Sequence, residues 1–282
     1  MAIIVGDIHG NAEKAKAFLA YRPEKQHVAL GDYLDSFYEP QARQIQTLEL
    51  LLRSNAVLLW GNHELNYVDH APWLSDGYQY GLEKPYIDLL EDNIYRFEAA
   101  IVVDGWLCTH AGVSEKIVKM VGDNPDPGEV ADWLNAKMAK WVDDRKSYNN
   151  IVFDIGRGRG GSEAVGGIFW FDHVREYGLA DFKQLFGHTA GKQVIQKDNY
   201  ICLDATNVPG VAWVWDTEEN KLVELETDSF FPEIEDLPVK FKEWLDDLDI
   251  QKPTIDRYRQ FLKEQQQEKF QAALKERLQR KG

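Results

Sequence analysis

The sequence predicts an α/β fold with a largely parallel sheet in its N-terminal part. Three observations carry the prediction. Three short apolar runs, Ala2–Val5, His27–Leu30 and Ala56–Trp60, alternate with helix-like stretches, which is the pattern of βαβ units. Each run is followed by glycine: Gly6, Gly31 and Gly61. Behind each glycine come side chains that bind metals or move protons: Asp7 and His9, Asp32 and Asp35, Asn62 and His63. In parallel sheets, ligands bind beyond the carboxyl ends of the strands, so the same kind of residue reaches the same edge three times. Asp7 and His9, a hard oxygen and an imidazole two apart, are a plausible pair of first-row metal ligands.

The elements follow in order. Asn11 is placed to cap a helix over 12–20. Pro40 suits the first turn of a helix, and Ile45, Leu48, Leu51 and Leu52 give that helix an apolar face. Residues 65–98 hold Tyr67, Trp73, Tyr78, Tyr80, Tyr86 and Tyr95 among Pro72, Gly77, Gly81 and Pro85, so irregular structure is expected there. This aromatic insert is either packed loop or a cap over the functional edge. Asp104-Gly105 turns a hairpin between 100–103 and 106–108. The second hairpin strand runs into Thr109-His110-Ala111-Gly112. Helices are expected from Ser114 and over about 127–145. Gly156-Arg157-Gly158-Arg159-Gly160-Gly161 is a glycine-rich segment carrying two arginines. A strand over 182–186 ends in Gly187-His188-Thr189, and strands over 193–196, 200–203, 211–215 and 221–226 read as an antiparallel meander. From about residue 233 the composition shifts to Lys, Glu and Gln. Ile255, Tyr258, Leu262, Phe270, Leu274 and Leu278 have roughly helical spacing, so a helical C-terminal extension is expected over 233–282.

Composition excludes several classes. The chain has 282 residues, of which 44% are hydrophobic and 12% aromatic, which excludes disorder. It has no apolar run long enough to span a bilayer and opens directly on a strand, without a basic leader. Cys108 and Cys202, the only two cysteines, lie in strand-like runs and read as buried thiols. A cytoplasmic location is expected. A net charge of -15 makes nucleic acid a poor partner, because phosphate attraction dominates that affinity.

Five strand ends therefore carry Asp7 and His9, Asp32 and Asp35, Asn62 and His63, His110, and His188. Two metals about 3.5–4 Å apart suit phosphoryl transfer, since together they hold the attacking and leaving oxygens. Mixed Asp, Asn and His ligands favour Mn, Fe, Zn or Ni over Ca. Taken in order, Gly6-Asp-Ile-His-Gly10, Gly31-Asp-Tyr-Leu-Asp35, Gly61-Asn-His-Glu64, Thr109-His-Ala-Gly112 and Gly187-His-Thr189 resemble the motifs of the calcineurin-like metallophosphoesterase superfamily. The similarity is to the branch of the serine/threonine phosphoprotein phosphatases, their bacterial and phage relatives and the diadenosine tetraphosphatases. It covers residues 1–216.

The resemblance implies a four-layer αββα sandwich: two mixed β-sheets flanked by helices, forming a metallophosphoesterase domain over 1–232 with the insert 65–98. It implies two divalent transition metal ions, with manganese favoured. Asp7, His9 and Asp32 would hold the first ion. Asp32 would bridge to the second, completed by Asn62, His110 and His188. A metal-bridging hydroxide would attack phosphorus in line, and His63, oriented by Asp35, would protonate the leaving group. Glu64 reads either as a group supporting the metal ligands from behind or as a helix-start acid favoured by the helix dipole, the second being preferred. His27, His70 and His173 have no counterpart in the family and read as structural residues.

The chain also departs from the family. Phosphoprotein phosphatases follow the second motif with a phosphate-binding Arg-Gly, where this chain has Ser36-Phe37. Small phage relatives have an arginine about where Asp172 stands. Arg157 and Arg159 are the candidates to bind substrate phosphate in their stead, with Arg175 a weaker one. The expected activity is hydrolysis of a phosphomonoester on a protein or a small molecule. Hydrolysis of a dinucleoside polyphosphate, with insert aromatics stacking the bases, is the alternative. A non-catalytic regulatory protein on the same fold is the third reading, and the intact ligand set argues against it.

Overall fold

A computed structural model describes residues 1–36, 39–68, 74–75, 77–144, 150–205 and 211–227. The expected extension over 233–282 lies outside the described residues, as do Phe37, His70 and Trp73. The first half of the chain forms β1 (Ala2–Val5), α1 (Ala12–Ala20), β2 (Gln26–Ala29), α2 (Gln41–Leu52), β3 (Val57–Leu59), α3 (Asn62–Leu65), α4 (Glu83–Asp92), β4 (Phe97–Glu98), β5 (Ala100–Val103) and β6 (Trp106–Thr109). The second half forms α5 (Glu115–Val121), α6 (Pro127–Asp144), β7 (Gln184–Phe186), β8 (Ile195–Gln196), β9 (Tyr200–Cys202), β10 (Val211–Asp216) and β11 (Lys221–Glu226).

Two mixed sheets result. The first has the order β11-β10-β1-β2-β3-β4, with β1 to β4 parallel. The second has the order β5-β6-β7-β9-β8, with β6, β7 and β9 parallel. The two-residue period of a strand explains the layers. Ile3 and Val5 of β1 share a core with Phe18, Leu48 and Leu51 of α1 and α2. Ala2 and Ile4, on the other face, share a core with Cys108, Leu185 and Ile201 of the second sheet. Trp106 and Trp215 pack edge to face across that inter-sheet core, with centroids 5.6 Å apart. On the far side, Val130, Leu134, Met138 and Trp141 of α6 cover the second sheet. Helices thus flank both sheets, and the αββα expectation holds.

Local signals are met closely. Asn11 Oδ1 accepts the Lys14 amide and caps α1. Asp104 and Gly105 take φ of 49° and 80° in the β5–β6 turn. The expected meander is corrected: β8 and β9 pair in the second sheet, whereas β10 crosses to the first and pairs antiparallel with β1. β1 is buried throughout, so its outer edge cannot leave amides unpaired, and β10 supplies the ladder. The insert is also more regular than expected. Pro85 falls in the first turn of α4, where the missing N–H costs nothing, so it does not break the helix.

Candidate metal centre

The ends of β1, β2 and β3 meet those of β6, β7 and β9 at one edge. Gly31 and Gly61 lie back to back there: a Cβ on Gly31 would stand 2.7 Å from the Gly61 Cα. A Cβ on Gly187 would overlap the Asp7 carboxylate. Beside these close approaches the backbone is left-handed at His9, Asp32, Asp35 and His188, with φ of 45°, 55°, 59° and 67°. They are half of the eight such non-glycine residues among those described. Strain of this kind, roughly 1–3 kcal/mol per residue, clusters at functional sites.

The imidazoles face inward with lone pairs. His9 Nδ1 donates to the Leu34 carbonyl at 2.8 Å, and His110 Nδ1 donates to that of Leu30 at 2.9 Å. Each Nε2 is therefore free to act as a ligand. Burial lowers the pKa of His9, His110 and His188, which favours the neutral form that binds metal. His110 Nε2 lies 2.9 Å from Asn62 Oδ1, 3.2 Å from His188 Nδ1 and 3.4 Å from Asp32 Oδ1. On the other side, His9 Nε2 lies 3.8 Å from Asp32 Oδ2 and 3.9 Å from Asp7 Oδ2. The two oxygens of Asp32 thus serve two donor sets. Asp7 also accepts the His188 amide with both oxygens, at 3.0 and 3.1 Å, which joins the two sheets at the site.

The electrostatics match. Burial alone would raise the pKa of Asp32, but the imidazoles of His110, His63, His9 and His188 outweigh it and hold the carboxyl well below the usual range. Burial, with the nearby Asp204 and Asp32, pushes Asp7 well up. Three buried carboxylates around converging lone pairs form a set that a cation relieves.

His63 stands beside both sets. Its Nδ1 donates to Asp35 Oδ2 at 3.0 Å, and its Nε2 lies 3.8 Å from Asp32 Oδ2. Burial pulls its pKa down, but the Asp32 and Asp35 carboxylates outweigh that and raise it to about 9. His63 and Asp35, singled out by the motifs, are thus joined by a hydrogen bond. Glu64 stands in the first turn of α3, as expected of a helix-start acid, and does more. Its carboxylate accepts four amides, from Asp32 at 2.9 Å, Tyr33 at 2.7 Å, Leu34 at 3.2 Å and Gly61 at 3.1 Å. It ties the β2 and β3 turns together, which a dipole role does not describe.

The sequence profile of the calcineurin-like phosphoesterases matches residues 2–192. The chain belongs to the calcineurin-like phosphoesterase family. This calcineurin-like phosphoesterase is a metal-dependent phosphoric ester hydrolase, and its family binds two divalent metal ions. No curated protein matches the chain. Among solved structures, TT1561 of Thermus thermophilus aligns at 12% identity and a TM-score of 0.33, over 80% of this chain and 97% of that one.

The donor atoms fit the family's metals. Ligand bonds of about 2.0–2.2 Å place neighbouring donors on one ion roughly 3–3.5 Å apart, the spacing found around His110 Nε2. Among the described residues, two groups could hold an ion: His9, Asp32 and His63, and Asp32, His110 and His188. The first includes His63 and not Asp7. Among the described residues, no helix is long and apolar enough to cross a membrane.

The two candidate arginines part company. Arg159 Nη2 donates to Thr189 Oγ1 at 2.8 Å, and its Nε lies 3.2 Å from Asp172 Oδ2. It is close enough to help depress the pKa of His188. Arg157 is exposed on the same turn. Arg175 donates to the Gly158 carbonyl at 2.9 Å and is largely exposed. Ser36 is buried, its Oγ accepting the Glu39 amide. His27 bonds the Lys25 and Tyr21 carbonyls, as expected of a structural residue, whereas His173 packs against Phe186 and Tyr200 with no hydrogen bond to either ring nitrogen among the described residues. Sequence reasoning missed Asp204, at the end of β9, and Lys14, whose buried Nζ donates to the Asp7 carbonyl. Leu203-Asp204 repeats the pattern of a strand followed by an acid, but without a glycine to mark it.

Proposed function

We propose that this calcineurin-like phosphoesterase is a dinuclear phosphomonoesterase. Asp7, His9 and Asp32 would hold one divalent transition ion, and Asp32, Asn62, His110 and His188 would hold the other, with manganese the favoured ion. The catalytic domain spans residues 1–232. The observation that carries the reading is Asp32, whose two oxygens face separate donor sets. When bound, the two ions supply Lewis-acid charge and lower the pKa of a nucleophilic water.

The chain's own residues do the rest. Asp35 holds the charged form of His63, so that Nε2 carries a proton for the departing oxygen. Arg159, fixed by Thr189 and Asp172, grips the substrate phosphate with its remaining donors; a guanidinium matches phosphate geometry. Two buried free thiols support a reducing compartment such as the cytoplasm. A second reading, dinucleoside polyphosphate hydrolysis, is favoured by one observation. Tyr78 stacks on Tyr67 at 5.0 Å, Tyr80 meets Tyr78 edge-on at 4.9 Å, and both outer rings are partly exposed near the Asp35 dyad.

The test is a substrate panel with added Mn²⁺: p-nitrophenyl phosphate, bis-p-nitrophenyl phosphate, a phosphopeptide and diadenosine tetraphosphate. The first and third are expected to turn over faster than the diesters and the dinucleotide. His63→Ala is expected to keep both metals and to lower kcat by roughly 10²- to 10⁴-fold. Loss of metal in that variant would instead make His63 a ligand.

A further inference from the structure

Asp35 is fully buried and sits in left-handed backbone, so its carboxylate cannot turn to water for hydrogen bonds. It accepts from three donors: His63 Nδ1, Asn66 Nδ2 at 2.8 Å and the Tyr67 hydroxyl. Asn66 and His63 share the same oxygen, Oδ2. The orientation of the Asn66 amide is fixed from outside. Its Oδ1 accepts the Ser75 backbone N–H at 2.9 Å, and a backbone N–H can only donate. The other end of the amide must then be the NH₂, facing Asp35. Ser75 in turn accepts Asn62 Nδ2 on its hydroxyl at 3.0 Å. One insert residue therefore touches both a metal-ligand candidate and the support of the proton donor. Gln79 adds a backbone N–H to the Tyr67 oxygen at 2.9 Å.

We infer that Asn66 is a positioning residue for proton transfer: anchored by the Ser75 amide of the insert, it fixes the Asp35 carboxylate and through it the angle of His63. The insert then belongs to the catalytic apparatus as a brace, beyond any part it plays against substrate. The inference rests on the reading of His63 as proton donor. A proton donor matters most when the leaving group is a poor one, so misplacing it penalises esters unequally. A metal or folding defect penalises all esters alike.

The experiment compares phenyl phosphate, whose leaving group has a pKa near 10 like tyrosine, with the much more acidic p-nitrophenyl ester. Asn66→Ala and Asn66→Leu, of similar volume to asparagine, are each assayed at saturating Mn²⁺, with bound metal measured. Asn66→Leu removes the donor to Asp35 without adding a charge or an O–H beside it, so it stands in if the alanine variant does not fold. The expected result is a fall in kcat of about 10-fold on phenyl phosphate, part of the full ~10²–10⁴ of acid catalysis. On p-nitrophenyl phosphate the change is expected to stay within about twofold, with metal content unchanged. Equal losses on both esters, or undiminished turnover of phenyl phosphate, overturn the inference. His63→Ala is run beside them. If it discriminates between the esters and the Asn66 variants do not, only this inference fails. If it does not discriminate, the proton-donor reading itself has failed.

Discussion

Replacing Glu64 by glutamine separates two accounts of that residue. In the wild type, Oε1 accepts the Tyr33 and Leu34 amides and Oε2 accepts those of Asp32 and Gly61, all buried. Glutamine keeps one acceptor oxygen and points an NH₂ at the other two donors. Two orphaned buried amides cost roughly 1–3 kcal/mol each, so Glu64→Gln is expected to lose about 2–6 kcal/mol. A carboxylate that only complements the helix dipole is worth about 0.3–1 kcal/mol. Glu64→Ala orphans all four amides, a loss of the order of a domain's whole stability of about 5–15 kcal/mol, and is not expected to yield folded protein. The assay is equilibrium urea unfolding of the metal-free protein followed by circular dichroism. Destabilisation of Glu64→Gln by less than about 1 kcal/mol would refute the clamp. Because either orientation of the glutamine amide loosens the turn that carries Asp32, the same variant is expected to bind metal more weakly, which titration with Mn²⁺ reads directly.

Other consequences are equally direct. Arg159→Ala is expected to raise KM for phosphomonoesters roughly 10- to 100-fold, the worth of a charged hydrogen bond, while Arg157→Ala stays within about twofold; steady-state kinetics on both variants decide it, and equal effects would contradict the placement of Arg159. In the metal-free protein, His63 is expected to titrate near pH 9 by NMR. That raised value contributes stability present in full below about pH 6.5 and lost as pH climbs through 9. Asp35→Asn removes one of the three carboxylates that raise it, the one in hydrogen-bond contact, so the midpoint is expected to fall. An unmoved midpoint would separate Asp35 from His63.

The sequence made the site legible because the site obeys local grammar. Gly31, Gly61 and Gly187 stand where the fold has no room for a Cβ, and the polar atoms of their neighbours Asp32, Asn62 and His188 converge beside His110. Caps and turns, such as Asn11 and Asp104-Gly105, are likewise written within a few residues. What stayed hidden depends on partners distant in sequence. β10 reads as a strand, but that it completes the buried β1 edge is a property of the sheet. Glu64 reads as a helix-start acid, but its four amides include three from the β2 turn. Asn66 carries no signal of its own, since its meaning lies in Asp35 and Ser75. The separation of Arg159 from Arg157, two residues apart on one turn, rests on Thr189 and Asp172, which no local pattern announces.

The most direct test of the whole account is the metal content of the purified protein set against its turnover. Exhaustive dialysis followed by Mn²⁺ titration, with bound metal measured by inductively coupled plasma spectrometry, is expected to give two ions per chain, with p-nitrophenyl phosphatase activity rising as the second is filled. Asp32→Asn, which removes the shared carboxylate, is expected to lose ions from both sets and activity with them. Full turnover without divalent metal, or a wild-type complement of two ions in Asp32→Asn, would contradict a dinuclear centre built on Asp32.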